Sequence, residues 1–264
     1  IAAGVIHLTN RVIVASSQLK EMLDFSNHNY YNWRFGKIYY TKKGKGSPLL
    51  LIHDTMPGAS GYEWSRVEDQ LAQEHTVYTL DLLGCGRSEK AGITYTNFLF
   101  VQIICDFIKN VIKEKTDIIA SGFSCSFVTT AAAYDKESIN KIMFINPVSM
   151  LSLAQTTTKK DKLFKFFIEL PIFGTFIYHI IVSRETINDF FLDKLYYNPF
   201  HVDKDVLDAY YEAAHKGGYY AKCLYSSQSA KYMNINIRHA VESIDNSIYI
   251  VEGEDEPNGA AIVE

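Results

Sequence analysis

No surplus of positive charge runs through these 264 residues: 26 Lys and Arg stand against 30 Asp and Glu, for a formal net charge of −4. The two signs are interspersed. That excludes the clustered basic face a nucleic-acid binder needs and reads as a mixed, solvated surface. Cysteine is scarce. Cys85, Cys105, Cys125 and Cys223 make no CxxC pair and no zinc-ligand spacing, so free thiols in a reducing compartment are expected, and no metal site. Also missing is an unbroken apolar run of about 20 residues, the length a membrane span requires. The apolar start, residues 1–15, is interrupted by His7, Asn10 and Arg11. It reads equally as an amphipathic helix lying on a core and as the end of a longer N-terminal anchor. The expected localisation is cytoplasmic, with membrane attachment through the N-terminus as the alternative. The chain opens on Ile1 rather than methionine and closes on an Ala-Ala-Ile-Val-Glu stretch with no terminating pattern, so a fragment of a longer product is expected.

What is present is ample material for a core, at 47% hydrophobic residues. Residues 32–35 and 37–41 are β-rich runs joined at Gly36, a hairpin signal. Residues 48–52, 76–80, 117–120 and 141–145 are short apolar runs of the kind found in strands buried on both faces. Helical spacing lies between them, at 62–74, 94–113 and 124–134. Strands alternating with helices predict βαβ units and a mostly parallel sheet flanked by helices. From residue 150 the alternation stops. Residues 150–233 are dense in Phe and Tyr and read as helices broken at Pro171, Asn198-Pro199 and Gly217-Gly218. Strand character returns at 247–252. The expected division is an N-terminal helical segment at 1–28, an α/β core at 29–149 and 234–264, and a helical insertion at 150–233.

Three segments carry chemistry. In Ser121-Gly122-Phe123-Ser124-Cys125-Ser126, a strand runs into a helix through a Gly-x-Ser-x-small pattern. A serine on so tight a turn needs small neighbours two before and two after, here Gly122 and Ser126, and the helix behind it favours developing negative charge. Ser124 is the candidate nucleophile. The second segment is His53-Asp54-Thr55 after the strand at 48–52. The third, Asp81-Leu82-Leu83-Gly84-Cys85-Gly86-Arg87-Ser88, follows the strand at 76–80.

Together these segments resemble the α/β-hydrolase superfamily. The resemblance implies an α/β fold with a helical cap inserted after the sixth strand, no cofactor, and a serine hydrolase of carboxylesterase or lipase type. It implies an oxyanion hole from the backbone N–H groups of Thr55 and Cys125. It gives His53, Asp81, Gly84, Gly86, Gly122 and Ser126 structural roles. Asp54 departs from the family's glycine and places a carboxylate near an anion site, which is unfavourable unless it points away. The triad acid is expected at Glu256, with Asp255 as runner-up. The triad histidine is missing: none of His7, His28, His75, His179, His201, His215 or His239 lies after the acid, so it is expected downstream of Glu264. The expected reaction is hydrolysis of an apolar carboxylic ester through an acyl-enzyme on Ser124. Haloalkane chemistry is disfavoured, because it uses an aspartate at the elbow. The alternative is a non-catalytic relative that binds a small apolar ligand under the cap.

Overall fold

Short β-branched and aromatic runs punctuated by glycine set the sheet. A computed structural model describes residues 2–23 and 29–253. Its strands are β1 (Asn29–Trp33), β2 (Gly36–Lys43), β3 (Ser47–Ile52), β4 (His75–Leu80), β5 (Thr116–Ser121), β6 (Ile139–Ile145) and β7 (Ile248–Val251). They form one seven-stranded sheet in the order β1-β2-β4-β3-β5-β6-β7. The β1–β2 hairpin turns at Gly36, and β2 pairs antiparallel with β4; every pairing from β4 to β7 is parallel. The expected mostly parallel sheet forms, and the hairpin lies at one edge of it.

The helices are α1 (Ala2–Ser17), α2 (Glu68–Leu71), α3 (Asn97–Phe107), α4 (Ser124–Tyr134), α5 (Met150–Leu153), α6 (Lys159–Glu169), α7 (Phe173–Ile181), α8 (Arg184–Phe190), α9 (Lys204–His215), α10 (Lys222–Ser229) and α11 (Arg238–Ser243). The expected long helix at 62–74 is instead a 3₁₀ turn at Gly61–Trp64 followed by the four-residue α2. Ser60 stops the chain entering it earlier by capping Tyr62 N–H. The helix expected through 113 gives way at Phe107 to a wider turn that ends at Lys113, φ +66°. Helices α5 to α11 fill the interval between β6 and β7, the place where a cap is expected.

The main core lies between the sheet and α3 and α4. Leu50, Ile52, Leu80, Ile104, Phe107, Ile118, Phe127 and Ile142 are all buried there, each fully buried aliphatic or aromatic side chain contributing about 1.5–3 kcal/mol. A second cluster joins the cap to the core. Met56 and Ala59, from the loop after β3, pack against Tyr178, Ile187, Phe191 and Tyr210. The cap thus rests on the loop that carries His53, Asp54 and Thr55. The cysteines Cys85, Cys105, Cys125 and Cys223 are free thiols. Among the described residues no single helix is long and apolar enough to cross a membrane.

Candidate active site

The carboxyl ends of β3, β4 and β5 bring the three sequence segments together. The Asp81 loop is a brace. Fully buried Asp81 accepts from Gly61 N–H at 2.6 Å, Arg87 N–H at 2.7 Å, and Arg87 Nε and Nη2 at 2.8 and 2.9 Å. Gly86, at φ +45°, leaves room for that carboxylate: a Cβ there would collide with Asp81 Oδ2 and Ser60. Burial alone would raise the Asp81 pKa. The charge and hydrogen bonds of Arg87 outweigh it and hold the carboxyl at about 2.

Because this pKa lies below the unfolded value, the stabilisation is complete above about pH 4 and disappears as pH falls through about 2. Asp81→Asn removes it at every pH and takes the Asp81 charge away from the buried Arg87 guanidinium. We expect a loss of about 3–5 kcal/mol in denaturant unfolding at neutral pH.

His53 is likewise part of the frame. Its Nδ1 lies 2.5 Å from Asp54 O, and its Nε2 accepts Leu82 N–H at 2.9 Å. Burial lowers its pKa, so the ring is neutral, with the proton on Nδ1. Both nitrogens are engaged, and the ring ties the β3 loop to the β4 loop.

The turn after β5 departs from expectation. Its left-handed residue is Gly122, φ +54°, while Ser124 is already the first residue of α4. The frame of small residues is therefore centred two positions earlier, as Ala120-Ser121-Gly122-Phe123-Ser124. Ser124 is not the exposed residue at the apex. It is fully buried, and its Oγ donates to His53 O at 2.6 Å. Ser126 is buried too, its hydroxyl donating to Phe123 O at 2.9 Å. Cys125 N–H is not free to bind an oxyanion, since it donates within the turn to Gly122 O at 3.4 Å.

The two N–H groups that do converge belong to Thr55 and Phe123, and what they hold is Asp54. Its Oδ1 accepts Thr55 N–H at 2.7 Å and Phe123 N–H at 2.8 Å. The carboxylate that should point away points in. It fills the space above Gly122, where a Cβ would stand 2.5 Å from Oδ2 and 2.6 Å from Oδ1. A glycine at the apex and an aspartate in the neighbouring loop are thus two halves of one arrangement. Burial raises the Asp54 pKa, against the pull of the two N–H groups.

Sequence reasoning did not single out Glu63. Its carboxylate accepts Asp54 N–H at 3.2 Å. Burial, reinforced by the charge of Asp54, pushes its pKa up to about 7. Buried Tyr210 of α9 feels both carboxylates and has its pKa raised, chiefly by burial. Glu63 and Tyr210 line a cavity of about 150 Å³ with Phe191 and Tyr196 of the cap. The Thr55 hydroxyl is buried without a hydrogen-bond partner among the described residues. The expected triad acids Glu256 and Asp255 lie outside the described residues. Among the described residues, no group of three or more His, Cys, Asp or Glu side chains is arranged to hold a metal ion.

Residues 48–167 match a family model described as the alpha/beta hydrolase fold. Among curated proteins, the chain is 28% identical over 114 residues to a 2-hydroxy-6-oxo-6-(2'-aminophenyl)hexa-2,4-dienoic acid hydrolase of Metapseudomonas resinovorans, covering 42% of this chain and 39% of that protein. It is 29% identical over 109 residues to a soluble epoxide hydrolase of Corynebacterium sp. strain C12, covering 41% of this chain and 37% of that protein. The matched stretches thus span under two fifths of these relatives' length. A solved alpha/beta hydrolase fold protein from Burkholderia ambifaria superposes with a TM-score of 0.66 at 22% identity, covering 88% of this chain and 81% of that one.

Proposed function

We propose that this chain, which belongs to the α/β-hydrolase superfamily, is the core and cap of a hydrolase whose nucleophile is the Asp54 carboxylate rather than a serine. The observation that carries this reading is the pair of N–H groups on Asp54 Oδ1. They fix one carboxylate oxygen where an oxyanion is stabilised and leave Oδ2 to attack. The departure at Asp54 and the glycine at the elbow then have one cause: the nucleophile has moved from the turn after β5 to the loop after β3, reaching the same point in space. The aspartate chemistry disfavoured from the sequence becomes the preferred one.

The substrate class that suits a carboxylate nucleophile is an apolar molecule with an electrophilic sp³ carbon, such as an epoxide. In the first step Asp54 Oδ2 bonds to that carbon, the carbon–oxygen bond breaks, and the leaving alkoxide takes the proton of Glu63. In the second step Glu63 takes a proton from water as its oxygen adds to Asp54 Cγ. The charge that develops on Oδ1 rests on the Thr55 and Phe123 N–H groups. Breaking the ester bond releases the alcohol, which takes back that proton, and the proton left on Asp54 returns to Glu63. Epoxide plus water has become diol. One group serves as acid and then as base, which a pKa near neutrality suits.

The test is a panel of apolar epoxides and carboxylic esters offered to full-length protein, followed by single turnovers in heavy-oxygen water. Carboxylate attack puts heavy oxygen into Asp54, detectable by mass in the peptide that contains it; a serine route leaves that peptide unchanged. A second reading, of a chain that binds an apolar ligand without chemistry, draws on the same observation, because a carboxylate already fills the N–H pair. Binding without turnover across the panel supports it.

The pH profile follows from the two carboxyls. Asp54 must be ionised, so activity rises with pH through its raised pKa. Glu63 must be protonated, so activity falls above about pH 7. We expect a bell-shaped kcat/KM whose alkaline limb disappears in Glu63→Gln. The same group bears on stability. Its folded pKa lies above its unfolded one, so the fold is favoured below about pH 4.5 and loses that contribution as pH rises through about 7.

A further inference from the structure

Three neighbouring helices each expose a stripe of apolar residues while burying some of their polar ones, with Ile168 of α6 and Tyr178 of α7 anchoring them inward. On α6, Leu163, Phe166 and Phe167 are exposed, at the spacing of one helix face, while Lys165 is buried. On α7, Phe173, Ile177 and Ile180 are exposed at the same kind of spacing, while Thr175 and His179 are buried. On α1, Val5, Leu8 and Val12 are exposed while Asn10 is buried, its amide donating to Ile172 O at 3.0 Å. A helix facing water has the reverse pattern. The three pack side by side, α7 touching both α1 and α6, so their outward stripes join into one apolar surface larger than scattered exposure accounts for. Phe166 and Phe167 of α6 are 59% and 49% exposed on it.

The rim of this surface is basic. Lys159, Lys160 and Lys162 are exposed in the first turns of α6, and His7 and Arg11 are exposed on α1. The one acid among those lysines, Asp161, is bonded to Thr158 and paired with Lys231. Between α1 and α7 a groove of about 510 Å³ opens, walled by Val14, Ala15, Pro171, Ile172 and Tyr219. Helices α6 and α7 meet at 105°, a wedge rather than a span.

We propose that the α1–α6–α7 face of the cap docks on a membrane surface that carries anionic lipid, its aromatic residues entering the headgroup boundary and its lysines resting against the charged headgroups. The inference is independent of the chemistry at Asp54. The test is co-sedimentation of the full chain with vesicles of phosphatidylcholine alone and of phosphatidylcholine mixed with phosphatidylserine. We expect at least about tenfold stronger binding to the mixed vesicles, weakening as salt is raised. Replacing Phe166 and Phe167 together by Glu, with the fold checked by circular dichroism, abolishes the binding. Replacing Lys159, Lys160 and Lys162 together by Ala removes the preference for anionic lipid. Absence of binding to either vesicle overturns the proposal, as does binding that survives the Phe substitutions. So does a reversible dimer in sedimentation velocity that the same Phe substitutions dissociate, which assigns the face to a second copy of the chain.

Discussion

Asp54→Asn is expected to lower kcat/KM by about a thousandfold or more, while Ser124→Ala stays within about twofold of the parent. The asparagine has nearly the same shape. Its carbonyl oxygen accepts the Thr55 and Phe123 N–H groups as Oδ1 does, so the loop keeps its form. What is lost is the second, nucleophilic oxygen. No side chain at the turn replaces it, because Gly122 has none. Ser124 is enclosed in the first turn of α4, its hydroxyl spent on His53 O. Steady-state kinetics on a substrate from the panel decides the matter: an active Asp54→Asn together with a dead Ser124→Ala sinks the carboxylate mechanism.

Gly122→Ser is expected to cost about 2–6 kcal/mol of stability, about half of which returns when Asp54→Gly is added to it. The single substitution carries two penalties. A non-glycine residue at φ +54° is strained, by about 1–3 kcal/mol. The new side chain also enters the volume of the Asp54 carboxylate, and overpacking a filled site costs about 1–3 kcal/mol. Only the second penalty depends on Asp54. Removing the carboxylate frees that space, and the double variant has the serine at the apex and the glycine in the loop that the rest of the superfamily pattern leads one to expect. Denaturant unfolding of the parent, both single variants and the double variant measures the coupling as a thermodynamic cycle. Additivity of the two substitutions would show that Gly122 and Asp54 do not share one space.

The fold was legible because its signals are local. Alternating apolar runs and helical spacings locate the strands, and Gly36 locates the hairpin. The Asp81-to-Ser88 loop was legible as structure through its resemblance to the family's Asp-x-x-Gly-x-Gly-x-Ser loop; that Arg87 holds the acid is a fact of the fold. The site was harder to read. The pattern Gly122-x-Ser124-x-Ser126 satisfies the spacing of a nucleophile turn, but so does Ala120-x-Gly122-x-Ser124. Periodicity cannot choose between frames two residues apart, since both keep the same side chains on the same face of β5. The choice depends on which residue turns left-handed, and that in turn depends on Asp54, 68 positions earlier in the chain. The aspartate was visible as a departure. What was not visible is that it and the glycine compensate each other, because a carboxylate's direction is a tertiary fact. Glu63 was hidden for a related reason: in sequence it is one acid among several, and its raised pKa comes from burial beside Asp54.

The hydrogen bond from Ser124 to His53 O has a practical consequence for how such a protein is discovered. Fluorophosphonate probes, which catalogue serine hydrolases across whole proteomes, require an exposed and activated hydroxyl, and here the hydroxyl is a buried strut. A survey built on those probes would pass this protein over, although its sequence contains the Gly-x-Ser-x-small spacing of a serine nucleophile turn. An epoxide-bearing probe that traps carboxylates would instead leave its mark on Asp54.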